Sequence, residues 1–167
     1  MSPTIRNQAT LVALAAAVAL TAPVDVAFAQ SGHFITSGRN APQCTDEGLT
    51  VLCTGKVAGL GGTTFEIRIE AEGTAEVVCI NPGGNRAPGQ DTEVTVEGTT
   101  GPLPTPRNGQ FVFTIETDDP GPLPPTPTCP NEMWTPEIVD VVFDTATLTL
   151  FEDNVLVDEV TVIVEPE

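Results

Sequence analysis

The chain is poor in the side chains that carry most enzyme chemistry. It has no tyrosine, one tryptophan (Trp134) and one histidine (His33). Its serines are Ser2, Ser31 and Ser37, so nothing after position 37 supplies a Ser, His or Tyr. A Ser-His-Asp triad cannot be assembled there. A single imidazole in a polar N-terminal stretch also lacks the positioned neighbours that a general base requires. Positive charge is scarce: six Lys and Arg, with Lys56 the one lysine, stand against 23 Asp and Glu, a net charge of −17. Such a surface repels nucleic acid and anionic lipid and attracts cations or basic partners. No phosphate loop or dinucleotide fingerprint is present, and Gly59-Leu-Gly-Gly62 has no helix after it, so it reads as a turn. Carboxylates are the remaining catalytic option, because paired acids about 5–10 Å apart can hydrolyse glycosidic bonds. With this many acids such a pair arises by chance, and one Trp is little for a sugar cleft. The chain is expected not to be an enzyme, with a carboxylate-dependent hydrolase as the lesser alternative.

Long hydrophobic runs are lacking too. The longest near the N-terminus, Leu11 to Leu20, is too short for a bilayer span, which needs about 20 residues. Arg6 precedes it and Ala27-Phe28-Ala29 follows, the order of a secretory signal peptide. Residues 1–29 are therefore expected to be removed, leaving Gln30 first. Arg6 and Asp25 cancel, so the mature chain keeps its −17. No Cys follows the run closely enough for a lipid anchor, and Val162 to Glu167 has no hydrophobic anchor tail. The expected location is secreted, extracellular, without membrane insertion after cleavage and without a nucleic-acid partner. The expected partner is an extracellular ligand or cell-surface component.

All four cysteines, Cys44, Cys53, Cys79 and Cys129, follow that segment. An even count in an exported chain reads as two disulfides. Three pairings are open; the favoured one joins Cys44 to Cys53 as a local staple and Cys79 to Cys129 as a long one. A zinc site finds neither a C-x₂-C spacing nor a nearby His.

Residues 30–43, polar and rich in Gly, Ser and Pro, are expected to form a flexible leader ahead of one domain over 44–167. From Leu49 onward the pattern is that of β-structure. In Phe65 to Glu72 the apolar Phe65, Ile67, Ile69 and Ala71 alternate with Glu66, Arg68, Glu70 and Glu72, a period of two. Gly73 is expected to turn the chain into a second strand, Ala75 to Ile80. Glu93–Glu97 and Gln110–Glu116 alternate likewise. Glu137 to Phe143 places Val139, Val141 and Phe143 on one side; then the apolar parity switches to Ala146, Leu148 and Leu150. A one-residue slip reverses every side chain, so a bulge or break is expected at Asp144-Thr145. Glu152-Asp153-Asn154 is a hairpin candidate and Val155 to Val164 the last strand. The sum is about seven or eight strands and no helix. An all-β, antiparallel, immunoglobulin-like β-sandwich fits best, with a small closed barrel second. The Pro-rich segments 101–106 and 119–130 cannot be central strands. The second is expected to cross between sheets in extended form, tied down at Cys129.

Calcium is the candidate cofactor. It takes about six to eight oxygens, which clustered carboxylates on loops supply. Asp118 and Asp119 before the Pro-rich loop, and Asp153 and Asp158 around the last hairpin, are the candidate ligands, although no EF-hand loop is present. Arg86 is a candidate recognition point, with charge compensation of nearby acids as the plainer reading. Trp134 is a candidate binding aromatic, with packing over a disulfide as the plainer reading.

Two segments carry a family resemblance: Cys79-Ile-Asn-Pro-Gly-Gly-Asn-Arg-Ala-Pro-Gly-Gln90 and Cys129-Pro-Asn-Glu-Met-Trp134. They resemble a group of small secreted β-rich proteins of actinobacteria and other bacteria. That group shares a Cys-x-Asn-Pro-Gly-Gly-Asn-x-Ala-Pro-Gly-Gln stretch and a later Cys-Pro-Asn-x-x-Trp. The resemblance covers most of residues 55–165. It implies export, a β-rich fold and a bond between Cys79 and Cys129, and it implies no particular activity. Cys44 and Cys53 fall outside it.

Overall fold

The computed structural model describes residues 31–166; the expected signal peptide and Gln30 lie outside them. The strands in chain order are β1 (His33–Phe34), β2 (Gln43–Asp46), β3 (Val51–Ala58), β4 (Thr64–Ile80), β5 (Arg86–Pro88), β6 (Thr92–Thr99), β7 (Leu103–Pro104), β8 (Phe111–Glu116), β9 (Thr135–Glu152) and β10 (Val155–Glu165). One short turn of helix, α1 (Pro125–Thr128), precedes Cys129.

The all-β class is as expected, but the pairing is mixed rather than wholly antiparallel. The end of β10 runs parallel to β2, with Val164 beside Cys44 and Glu165 beside Thr45. This contact joins all ten strands into one sheet, which does not close into a barrel. One group of strands centres on β3, flanked by β8 on one edge and by β2 and β1 on the other. The other centres on β4, with β9 and then β10 on one side and β7, β6 and β5 in turn along the other. The two groups face each other: the Phe65 ring of β4 lies 5.0 Å from the Phe111 ring of β8. Phe65, Ile67, Ile69, Ala71, Phe113, Ile115, Leu148 and Leu150 all enter one buried core. Full burial of such side chains stabilises by roughly 1.5–3 kcal/mol each.

Gly73 does not turn the chain; β4 continues through it for 17 residues. Ala71, Gly73, Ala75 and Val77 are all buried on the same side of the strand. Gly73 is there for close approach: a Cβ would come within 2.7 Å of Val141 Cγ1 and 2.8 Å of Phe143 Cδ1 and Val142 O.

β9 contains the expected bulge, because Glu72 pairs with Thr145 and Gly73 with Phe143, leaving Asp144 over. A second slip follows. Glu76 pairs with Asp140 and Val77 with Ile138, which leaves Val139 over and 40% exposed. Val139 is therefore not on the inner face; Ile138 packs against the core in its place.

The leader is tied into the fold. Phe34 is 2% exposed, its ring set edge-on to Phe113 at 5.8 Å, and β1 pairs with β3. One aromatic in a polar stretch suffices to anchor it. The chain after Cys79 forms a hairpin, with β5 returning along Val78–Ile80. The Pro-rich segment 119–130 carries no ladder, as expected, but it ends in the α1 turn rather than in an extended run.

Both disulfides form, Cys44–Cys53 and Cys79–Cys129. The first joins residues directly opposite on β2 and β3, with Cα atoms 4.1 Å apart. The second ties the Pro-rich segment to β4, and the fold leaves no free cysteine among the described residues.

Candidate functional site

The candidate calcium ligands are not gathered. Asp153 sits at the tip of the β9–β10 hairpin, where it and Asn154 have φ of 47° and 66°. Left-handed values at both central residues are those of the two-residue turn that Asp and Asn tolerate. Its carboxylate accepts from Thr63 N–H at 3.1 Å, Thr63 Oγ1 at 2.6 Å and Thr64 N–H at 2.9 Å. Those bonds, led by the Thr63 hydroxyl, hold its pKa down at about 2. Beside it, fully buried Glu152 accepts from Gly61 and Gly62 N–H at 3.3 and 3.1 Å. Four successive amides of the β3–β4 loop thus clamp two consecutive carboxylates.

Asp158 is turned inward. A bulge between Leu156 and Asp158 reverses the parity of β10, and Asp158 Oδ2 accepts from Phe34 N–H at 2.8 Å. Asp46, not singled out from the sequence, serves similarly: its carboxylate accepts from Gly48 and Phe143 N–H. Asp119 is exposed in the Pro-rich segment. Among the described residues no three His, Cys, Asp or Glu side chains are placed to hold a metal ion.

Arg86 pairs with Glu137 at 3.1 Å across β4, the charge-compensating role rather than a free recognition point. Trp134 is half-buried and outside the core cluster, so neither core packing nor full exposure describes it. The motif around them is structural. Asn81 Oδ1 accepts from Gly83 and Asn85 N–H and closes the hairpin turn; Asn131 Oδ1 accepts from Met133 N–H. At Gly89 a Cβ would press on Val77 and on the sulfur of Cys79.

What the structure does bring together is the outward face of β6, β4, β9 and β10. Side chains alternate along a strand and directly paired residues share a face. Register therefore aligns Glu97, Glu70, Thr147 and Thr161 in one row, and Thr99, Arg68, Thr149 and Glu159 in the next. Apart from Thr161 these residues line a groove of about 630 Å³, together with Glu66, Phe151 and Asp118. Arg68 lies across it, its guanidinium carbon 4.5 Å from the centre of the Phe151 ring and its Nε 2.7 Å from Glu66 Oε1. That hydrogen bond, with one from Thr99, lowers the Glu66 pKa against the opposing effect of burial. A lowered pKa is the reverse of what a general acid needs.

The alternation of β4 had already marked Glu66, Arg68 and Glu70 as outward. Their meeting with Glu97, Phe151 and Glu159 depended on register, which no local pattern displays.

No protein-family model matches the chain, and no curated protein matches it. Among solved structures it is similar to a β-glucuronidase of Bacteroides uniformis, at 14% identity and a TM-score of 0.31, covering 78% of this chain and 14% of that one. It is similar also to a calcium-binding mutant of Bacteroides uniformis β-glucuronidase 2, at 15% identity, with the same coverage and TM-score. The chain thus spans 14% of the length of those proteins. At that TM-score the likeness carries no argument about this chain's activity.

Proposed function

We propose that the protein is an exported, non-enzymatic β-domain that works by binding at the cell exterior, with the outer face of β6, β4, β9 and β10 as its contact surface. The observation that carries this reading is the open groove on that face, lined by charged and aromatic side chains and by threonines. Two buried disulfides fit an oxidising compartment. Among the described residues no helix is long and apolar enough to cross a membrane. A non-catalytic role is supported by the absence of Ser, His and Tyr beyond position 37.

The test is carboxyl footprinting. The folded protein is labelled with a carbodiimide and an amine, with and without cell-envelope material of the producing organism, and mapped by mass spectrometry. Protection of Glu70, Glu97 and Glu159 relative to Glu47 and Glu132 is expected. Equal labelling with and without envelope, or protection confined to β3 and β8, would refute the reading.

A further inference from the structure

On the outer face, acids meet acids. Glu70 stands directly opposite Glu97 of β6, and Glu76 directly opposite Asp140 of β9. Like charges in directly opposed positions destabilise a sheet. All four side chains are exposed, so core packing does not require them.

The face also shows what it can hold. Its own Arg68 is seated between a carboxylate, Glu66, and the ring of Phe151. Carboxylate plus aromatic face is an effective seat for a guanidinium. Also lining the groove, Glu70, Glu97, Asp118 and Glu159 form no ion pair among the described residues, although Glu97 is near enough to Arg68 to act on it electrostatically. At the groove's other end the surface becomes apolar: Phe151 is half-buried, and Leu156, opposite it on β10, is 52% exposed.

We propose that this face docks a basic polypeptide segment that carries Arg or Lys together with at least one apolar side chain. The proposal rests on the binding reading above and adds the chemical class of the partner. The cations of the segment lie against Glu70, Glu97, Asp118 and Glu159, and its apolar side chain lies on the exposed Leu156, since Arg68 already covers the Phe151 ring. Charge complementarity selects this occupant over the others. A second copy brings the same −17 and is repelled, as are nucleic acid and anionic lipid. The dimensions agree with a short segment: four strands at about 4.8 Å spacing are roughly 14 Å across, which about four or five extended residues cover.

The experiment measures fluorescence anisotropy at 0.15 M salt with three probes: a labelled hexapeptide of alternating Arg and Leu, a labelled oligolysine, and spermine as an unlabelled competitor. Three variants are compared with the parent: Glu70→Gln/Glu97→Gln/Glu159→Gln on the face, Glu47→Gln/Asp119→Asn/Glu132→Gln off it with the same loss of charge, and Leu156→Ala. The face triple is expected to lose about tenfold or more in affinity for the Arg-Leu peptide, and the off-face triple much less. Leu156→Ala should weaken the Arg-Leu peptide while leaving oligolysine unchanged.

Equal losses in the two triples would overturn the proposal, because whole-molecule charge would then account for binding. Displacement by spermine at concentrations matching the peptide would overturn it as well, since a polypeptide would not be needed. If no peptide binds while envelope material still protects the face from labelling, the occupant is wrong and the binding reading stands; if neither occurs, both fall.

Discussion

Removing each disulfide in turn separates the two roles a cross-link can have. Cys79–Cys129 closes a loop of 50 positions and Cys44–Cys53 a loop of 9. The chain-entropy relation gives about 4 kcal/mol for the first and about 2.6 for the second at 25 °C. All four cysteines are 5% exposed or less, so the packing lost on replacement by Ala is comparable in the two pairs and largely cancels in the difference. Cys79→Ala/Cys129→Ala should therefore cost roughly 1.5 kcal/mol more than Cys44→Ala/Cys53→Ala. At about 3 °C per kcal/mol for a domain of this size, the melting temperature should fall by about 4–5 °C more on loss of the long link than on loss of the short one. Guanidinium unfolding followed by fluorescence of Trp134 supplies the free energies and the m-values. The m-value should rise more on loss of the long link, because the unfolded chain then exposes more surface. Equal losses, or a larger loss for the short pair, would refute the reasoning: native contacts along the β2–β3 ladder, not loop entropy, would then set the contribution.

Three further outcomes follow from particular residues. Gly73→Ala should cost about 1–3 kcal/mol through overpacking against Val141 and Phe143, whereas Gly121→Ala, with nothing within 4 Å of the added Cβ, should stay within about 0.5 kcal/mol; thermal melts of the two variants check this. The Asp153 pKa is lowered from 3.8 to about 2 on folding, so its contribution is present above about pH 4 and is lost as pH falls towards 2. Asp153→Asn should destabilise the protein at pH 7, and the gap to the parent should close between pH 4 and 2 in denaturant titrations; a gap that does not change with pH would contradict the clamp. Melting in sodium, magnesium and calcium chloride at matched ionic strength should give coincident curves that rise with salt, since screening relieves the self-repulsion of −17. A calcium-specific rise abolished by Asp118→Asn/Asp119→Asn or Asp153→Asn/Asp158→Asn would instead establish a calcium site.

Much of the fold was legible because polarity contrast is high where β4 and β9 are half-buried. The odd-numbered residues from Phe65 to Cys79 alternate with acids, Thr74, Val78 and Arg68, and the parity switch at Asp144 announced a bulge. The slip at Val139 was not legible: Ile138 and Val139 are both apolar, so either could face inward. Gly73 was misread because glycine signals a turn and a close approach alike, and only the neighbours distinguish them. Asp153 and Asp158 stand out in the sequence as candidate metal ligands because composition does not reveal that they accept backbone N–H groups of distant segments. The groove was invisible for a further reason: its residues come from four strands and the segment after β8, over ninety positions apart at the extremes, and they meet only through the fold.

The central claim, an exported chain closed by two disulfides, is tested most directly by the intact mass of protein recovered from the culture medium without reductant. The expected product is a chain beginning at Gln30 with no thiol open to alkylation, and with all four cysteines alkylated after reduction. Recovery only of a full-length chain retained in the membrane, or of a chain whose cysteines alkylate without reduction, would contradict it.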